Sequence, residues 1–177
     1  NIIIYSQKIT YLKNKEFVLT DGNSKAISED IIIDANKFTY NKIKKILNAN
    51  GDVKIDNKDE NYLIYADDAT YLKNEEMFLT RGQSKAINEG FLIDADNFRY
   101  NKIANTLNAN GNVKMEDTIN DYLVFANDAT YFKNSKKVIT KGNTDALIQS
   151  RYDVNSKDVT YFHNEQILTS KNKTKIL

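Results

Sequence analysis

Apolar and polar residues alternate along this chain with a period of two, which is typical of β-strands that bury one face. The clearest stretch is 47–55, where every second residue from Leu47 to Ile55 is apolar or glycine and the residues between them are polar. The same pattern returns sixty residues later at 107–115. The pattern predicts strands throughout, and the abundance of Tyr, Phe, Ile, Val and Thr favours the same interpretation.

The chain is internally repetitive. Residues 3–56 and 63–116 share roughly half of their residues, far above chance. A weaker repeat of about thirty residues lies within this period, and its marker is an aromatic residue after Thr or Arg. The markers are Tyr11, Tyr40, Tyr71, Tyr100, Tyr131 and Tyr161. They define six copies, namely residues 2–30, 31–61, 62–90, 91–121, 122–150 and 151–177.

Each copy predicts a hairpin of two strands joined by polar turns. The first strand changes phase: Ile64 and Ala66 share one face, whereas Ala69 and Tyr71 fall on the opposite parity. An extra residue at the position of Asp67 would restore a single apolar face, so we expect a β-bulge or sharp bend there. The same bend is expected at Asn36 and Asn127. A glycine on the second strand is expected to allow close packing or bending.

A helical alternative exists for residues 38–47 and 98–107, which also fit a short amphipathic helix. The equivalent segment of the sixth copy, 159–169, fits a hairpin more simply. Because repeats normally share one structure, we expect hairpins in all six copies and very little helix.

Hairpins of this length must stack on their neighbours to bury a face. We therefore predict an all-β fold with about twelve strands in two facing antiparallel sheets of six strands each, a folded-over jelly roll. Many inward-facing residues are small, such as Ala35, Ala66 and Ala95. Two interpretations stay open: either the small residues lie at a narrow crease of a filled core, or they leave an apolar trough between the sheets.

The composition of the chain excludes several kinds of binding site. Lys and Arg total 25 against 24 Asp and Glu, so charge provides no basic face for nucleic acid. No run approaches the about 18 apolar residues of a membrane span, and zero Cys excludes disulfides and thiolate metal sites.

We expect His163, the only histidine, to be a solvated turn residue, and we predict no catalytic residue, metal or cofactor. Lys13, Lys42, Lys73, Lys102 and Lys133 recur after the marker tyrosines and are expected on a solvated rim.

The alternation of Ile-x-Ala-Asp-x-Ala-x-Tyr and Leu-x-Ala-x-Gly-x-Val-x-Ile segments resembles the OstA-like family of lipopolysaccharide-transport proteins. That family includes LptA, LptC and the periplasmic amino-terminal domain of LptD. The segments are Ile64–Tyr71, Ile93–Tyr100, Leu47–Ile55 and Leu107–Met115, with weaker echoes in the first and last copies. The resemblance implies one domain over 1–177, in the periplasm, either as a separate protein like LptA or as the soluble domain of an outer-membrane protein like LptD.

The resemblance further implies a non-enzymatic carrier whose inward-facing residues hold the acyl chains of lipid A. These residues are Val18, Ile33, Ala35, Phe38, Leu47, Val53, Ile55, Ile64, Ala66, Phe78, Ala86, Ile93, Ala95, Phe98, Leu107, Val113, Met115, Val124 and Ala126. Other jelly-roll proteins of the transport system would join edge to edge. The expected edge residues are Ile2, Ile3, Ile4, Tyr5, Lys175, Ile176 and Leu177. The alternative is a structural or adhesive β-repeat of a cell-surface protein with a filled core. A glycan-active enzyme is disfavoured because no carboxylates cluster repeatedly on one face.

Overall fold

The computed structural model describes residues 2–177 and contains nineteen β-strands and two short 3-10 helices, Lys13–Lys15 and Lys73–Glu75. The strands are β1 (Ile3–Tyr5), β2 (Lys8–Leu12), β3 (Phe17–Asp21), β4 (Ser24–Ser28), β5 (Ile31–Ala35), β6 (Lys37–Asn41), β7 (Ile46–Asn57), β8 (Tyr62–Leu72), β9 (Met77–Arg81), β10 (Ser84–Asn88), β11 (Phe91–Ala95), β12 (Asn97–Asn101), β13 (Thr106–Asp117), β14 (Tyr122–Phe132), β15 (Lys137–Ile148), β16 (Tyr152–Lys157), β17 (Val159–Phe162), β18 (Ile167–Ser170) and β19 (Lys175–Ile176).

These segments form twelve long strands that zigzag antiparallel, in agreement with the six predicted hairpins. Five long strands (β7, β8, β13, β14 and β15) are continuous, and the other seven are each interrupted midway into two segments. Every long strand bends at its middle, so one half lies in a first layer and the other half in a second. The fold is a folded-over antiparallel β-jelly roll. The expectation of six strands per sheet is wrong because each layer contains a segment of all twelve.

The first layer runs in the order β1, β4, β5, β7, β8, β10, β11, β13, β14, β15, β16, β19. The second layer runs β2, β3, β6, β7, β8, β9, β12, β13, β14, β15, β17, β18. In both layers each strand pairs with its neighbours along the chain. The two layers are therefore joined by the backbone along one side, which we call the crease.

The crease forms where one strand of a pair has one more residue than its partner. Between the pairs Asn50–Asp68 and Val53–Ala66, the register shifts so that Gly51 and Asp52 oppose Asp67 alone. The predicted bend at Asp67 is present, but the extra residue lies on the glycine strand. Gly51 and Asp52 are both left-handed, with φ of +77° and +51°. Ala66 and Ala69 are consequently both buried, as the change of phase in the sequence indicates.

Buried threonines complete the hydrogen bonding at the crease. The Thr80 hydroxyl accepts a hydrogen bond of 2.8 Å from the Phe98 backbone N–H and lies 2.6 Å from the Ser84 hydroxyl. Thr20 and Thr140 occupy the same place sixty residues before and after. These hydroxyls satisfy backbone donors at the point where the two layers diverge.

The side opposite the crease, which we call the rim, consists of the turns of both layers. First-layer turns fall at 29–30, 58–61, 89–90, 118–121 and 149–151, where the sequence repeats begin and end. Second-layer turns include 42–45 and 102–105, inside the segments for which a helix was the alternative. Both segments are hairpins, β6–β7 and β12–β13, so the helical alternative is wrong.

Candidate functional site

The candidate site is the apolar interior between the layers. Of the nineteen residues predicted to face inwards, sixteen are buried, and Val18, Ala86 and Ala126 are half-buried. All except Ala66 either belong to one continuous apolar cluster or pack against it. The structure therefore brings the predicted residues together on one interior surface. Whether they bind lipid stays a prediction.

The interior is closed along most of its length. Phe78 and Leu107 are fully buried or nearly so, and the small residues pack close to the crease. A cavity of about 40 Å³ remains near the centre of the molecule. Its lining is Tyr62, Ile64, Ala86, Ile87, Asn88, Phe91, Ile93, Tyr100, Leu107, Tyr131 and Lys133. In this arrangement most of the interior is a filled core.

Aromatic rings form the rim-side wall of this interior. Tyr71 stacks on Phe78 with ring centroids 4.5 Å apart, and Phe91 stacks on Tyr131 at 5.2 Å. Burial raises the pKa of Tyr131 to about 12, so the phenol remains neutral at physiological pH. Four of the marker tyrosines, Tyr71, Tyr100, Tyr131 and Tyr161, contact another aromatic ring in this interior, whereas Tyr11 is 45% exposed. Phe91 and Tyr62 also line this interior but are not among the predicted residues; their signal in the sequence is their position as the first aromatic after a rim turn.

Both ends of the roll expose apolar side chains and unpaired strand edges. β1 bonds only to β4 and β19 bonds only to β16, so the predicted edge residues do lie at the two ends of the first layer. The corresponding ends of the second layer are β2 and β18, which are not among the predicted edges. On β2, Ile9 and Tyr11 are 48% and 45% exposed although they continue the inner face.

Three of the five rim lysines are not solvated, contrary to expectation, whereas Lys13 and Lys42 are exposed as expected. Lys73, Lys102 and Lys133 have side chains only 14%, 16% and 22% exposed, and each contacts a carboxylate of the first layer. Lys42 instead pairs with Glu16 in its own layer. The side chains of Lys73, Lys102 and Lys133 therefore fold over the rim instead of extending into solvent.

His163 lies in a rim turn, but the expectation that it is solvated is wrong. Its Nδ1 is 2.6 Å from the carboxylate of the buried Asp117, and its ring meets Phe91 edge-on. Burial raises the pKa of Asp117, but hydrogen bonds from Asn120 and Tyr161, with the nearby imidazole, bring it below its ordinary value. Asp117 therefore remains charged in the folded protein.

Within residues 2–177, no group of three or more His, Asp or Glu side chains is placed to hold a metal ion. No helix in this described part of the chain has the length and apolar character needed to cross a bilayer.

Comparison with known proteins identifies the fold. No protein-family model matches the sequence. No curated protein matches it either. Among solved structures, the chain is similar to LptH of Pseudomonas aeruginosa, the LptA-homologous periplasmic component of the lipopolysaccharide transport device. The TM-score is 0.53 with 14% sequence identity, over 57% of this chain and 76% of that one.

Proposed function

We propose that this protein is a periplasmic carrier segment for lipopolysaccharide. It would hold the acyl chains of lipid A between its two layers and pass them toward the outer membrane. The observation that carries the proposal is a continuous apolar interior between two layers that are joined by the backbone along the crease alone. The fold similarity to LptH supports it.

The interior suits acyl chains because its walls are apolar along the whole roll. Each buried CH₂ contributes about 0.8 kcal/mol, so several chains can be held without specific polar contacts. The repeated cross-section presents the same wall every sixty residues, as with Phe38 and Phe98 or Leu47 and Leu107. A chain can therefore slide from one repeat to the next without meeting a distinct barrier.

The open ends suit partners of the same fold. Unpaired strands usually risk aggregation, but in a chain of carriers they serve as docking surfaces by β-augmentation. Ile4 continues the inner face at one end, and Ile176 does so at the other, opposite Val154. We propose that partner jelly rolls extend both layers here, including β2 and β18, and continue the apolar interior.

Photocrosslinking tests the lipid site. A benzophenone amino acid is placed at Phe78 or Leu107 in the interior, and at Lys85 on the outer face as the matched control. Adducts with purified lipopolysaccharide are expected from the two interior positions and not from Lys85. Adducts from Lys85 alone would place the lipid outside the fold and contradict the proposal.

A second candidate is a structural β-repeat domain, and the filled interior is the observation that favours it. A structural domain would bind no lipopolysaccharide, so none of the three positions would give an adduct. The same experiment therefore separates the two functions.

A further inference from the structure

The two layers are held together differently on their two sides. At the crease, continuous strands cross from one layer to the other, so the backbone itself joins them. At the rim, the backbone hydrogen bonds between neighbouring turns of residues 2–177 connect turns of the same layer. Examples are Lys102 N to Glu76 O in the second layer and Thr118 N to Gly90 O in the first. Cross-layer contact at the rim depends on side chains.

Those side chains form a line of bridges that we call the rim latch. Lys73 contacts Glu29 at 3.2 Å, Lys102 contacts Asp30 at 3.0 Å, and Lys133 contacts Glu60 at 2.9 Å. Lys136–Glu89 and His163–Asp117 continue the line toward the carboxyl-terminal end. In each bridge the basic group comes from the second layer and the acid from the first.

The central latch pairs are more shielded than the ion pairs on the outer faces. The side chains of Lys102 and Asp30 are 16% and 12% exposed, whereas those of Lys25 and Asp34, paired within one layer, are 45% and 39% exposed. Exposed pairs contribute little because water screens them, and shielding strengthens the attraction. Burial raises the pKa of Asp30, but the hydrogen bonds that Lys102 and Asn57 donate to its carboxylate bring it below its ordinary value.

The unfilled part of the interior lies directly beneath the latch. Lys133, which bridges to Glu60, also lines the central cavity. Tyr100 lines the same cavity, and its hydroxyl donates a hydrogen bond to Glu60. Breaking this one bridge therefore uncovers the place where the apolar packing is least complete.

The geometry points to the rim latch as a lateral gate for an anionic, phosphate-bearing amphiphile, an inference that rests on the proposed function. Opening breaks the bridges, the acyl chains enter across the rim, and Lys102 and Lys133 exchange their carboxylates for the ligand's phosphates. A ligand shifts a closed–open equilibrium only if it binds one state better. Here both the apolar walls and the free lysines are available in the open state alone.

Cross-linking tests whether the rim must open. The chain has no Cys, so Asp30→Cys with Lys102→Cys can be joined by a short bis-maleimide across the latch. Lys25→Cys with Asp34→Cys, joined in the same way within one layer, is the control. We expect the latch cross-link to abolish binding of purified lipopolysaccharide and the control to preserve it. A closed form that binds as well as the control overturns the gate but leaves the proposed function intact.

Two pairs of variants separate opening from phosphate binding. Asp30→Asn with Glu60→Gln loosens the latch and keeps both lysines, so lipopolysaccharide should bind faster and at least as tightly. Lys102→Gln with Lys133→Gln loosens the latch equally but should bind more weakly at equilibrium. Equal affinity of the two double variants would overturn the role of the lysines.

A measurement without lipid keeps the gate testable if lipopolysaccharide does not bind at all. Spin labels on Asp59→Cys and Ala104→Cys report the distance across the rim, and labels on Ala104→Cys and Ser135→Cys report a distance within the second layer. Asp30→Asn with Glu60→Gln should lengthen and broaden only the first distance. An unchanged rim distance, or equal changes in both, overturns the gate.

Discussion

At the scale of the residue, the crease depends on left-handed backbone. Gly82 has φ of +74° and Gln83 of +38°, and a Cβ on Gly82 would meet the carboxylate of Asp67. Left-handed conformations are sterically strained in residues that have a Cβ, whereas glycine adopts them freely. The bend is therefore specified mainly by the glycine.

Gly82→Ala should destabilise the protein by about 1–2 kcal/mol, because alanine is strained at positive φ. The measurement is the urea midpoint of unfolding. The adjacent Gln83→Gly removes a Cβ from another left-handed residue and should leave the midpoint unchanged or raise it. Similar losses in both variants would show that the backbone conformation is not what matters there.

Two phenylalanines test the packing of the interior. Phe78 is fully buried, while Phe125 is 46% exposed on the outer face. Phe78→Ala should cost about 3–5 kcal/mol because it leaves a cavity in the core. Phe125→Ala should change the free energy of unfolding by no more than about 0.5 kcal/mol. Comparable effects in urea unfolding would contradict a close-packed interior.

At the scale of the element, buried threonines at the crease connect the two halves of three of the long strands, as Thr80 of β9 does through the hydroxyl of Ser84 in β10. Thr80→Val would leave the Phe98 N–H and the Ser84 hydroxyl without their partner in a buried place. The expected cost is about 1–3 kcal/mol by urea unfolding. Thr10→Val, at an exposed position of the edge strand β2, is the control and should be nearly neutral.

The sequence predicts the elements well because the repeat displays each hairpin six times. Period-two alternation locates the buried face, and the change of parity between Ala66 and Ala69 locates the bend. The sequence pattern could not show that the extra residue lies on the partner strand, beside Gly51, and not at Asp67. A bulge on either strand restores the same alternation. The sequence also could not reveal the environments of Lys102 and His163, since their partners are 72 and 46 residues away and come from the other layer.

At the scale of the whole molecule, charge contributes to the stability of the fold. Hydrogen bonds and nearby cations keep the pKa values of Asp30 and Asp117 below their ordinary values in the fold, against the opposing effect of burial. The native state therefore binds fewer protons than the unfolded chain at low pH. The resulting stabilisation is fully present above the unfolded pKa of about 3.9 and is lost as the pH falls through the folded values.

The urea midpoint should therefore stay level from neutral pH down to about pH 5 and then fall. Asp117→Asn should lower the midpoint at neutral pH and make the acid decline shallower, because one of these carboxylates is gone. Asp59→Asn, at an exposed rim carboxylate, should keep the parent profile. A parent-like profile for Asp117→Asn would mean that this carboxylate contributes nothing to acid sensitivity.

The chain-order pairing of the strands makes the length of this molecule modular. A unit of sixty residues supplies four long strands, or about 19 Å along the roll at 4.8 Å per strand. A second copy of residues 62–121 could be inserted after residue 121. The strands on either side of it would then be equivalent to the strands that residues 62–121 already pair with, because the sequence repeats every sixty residues. Duplication can therefore lengthen such a fold in fixed increments of four long strands, each with the same interior wall.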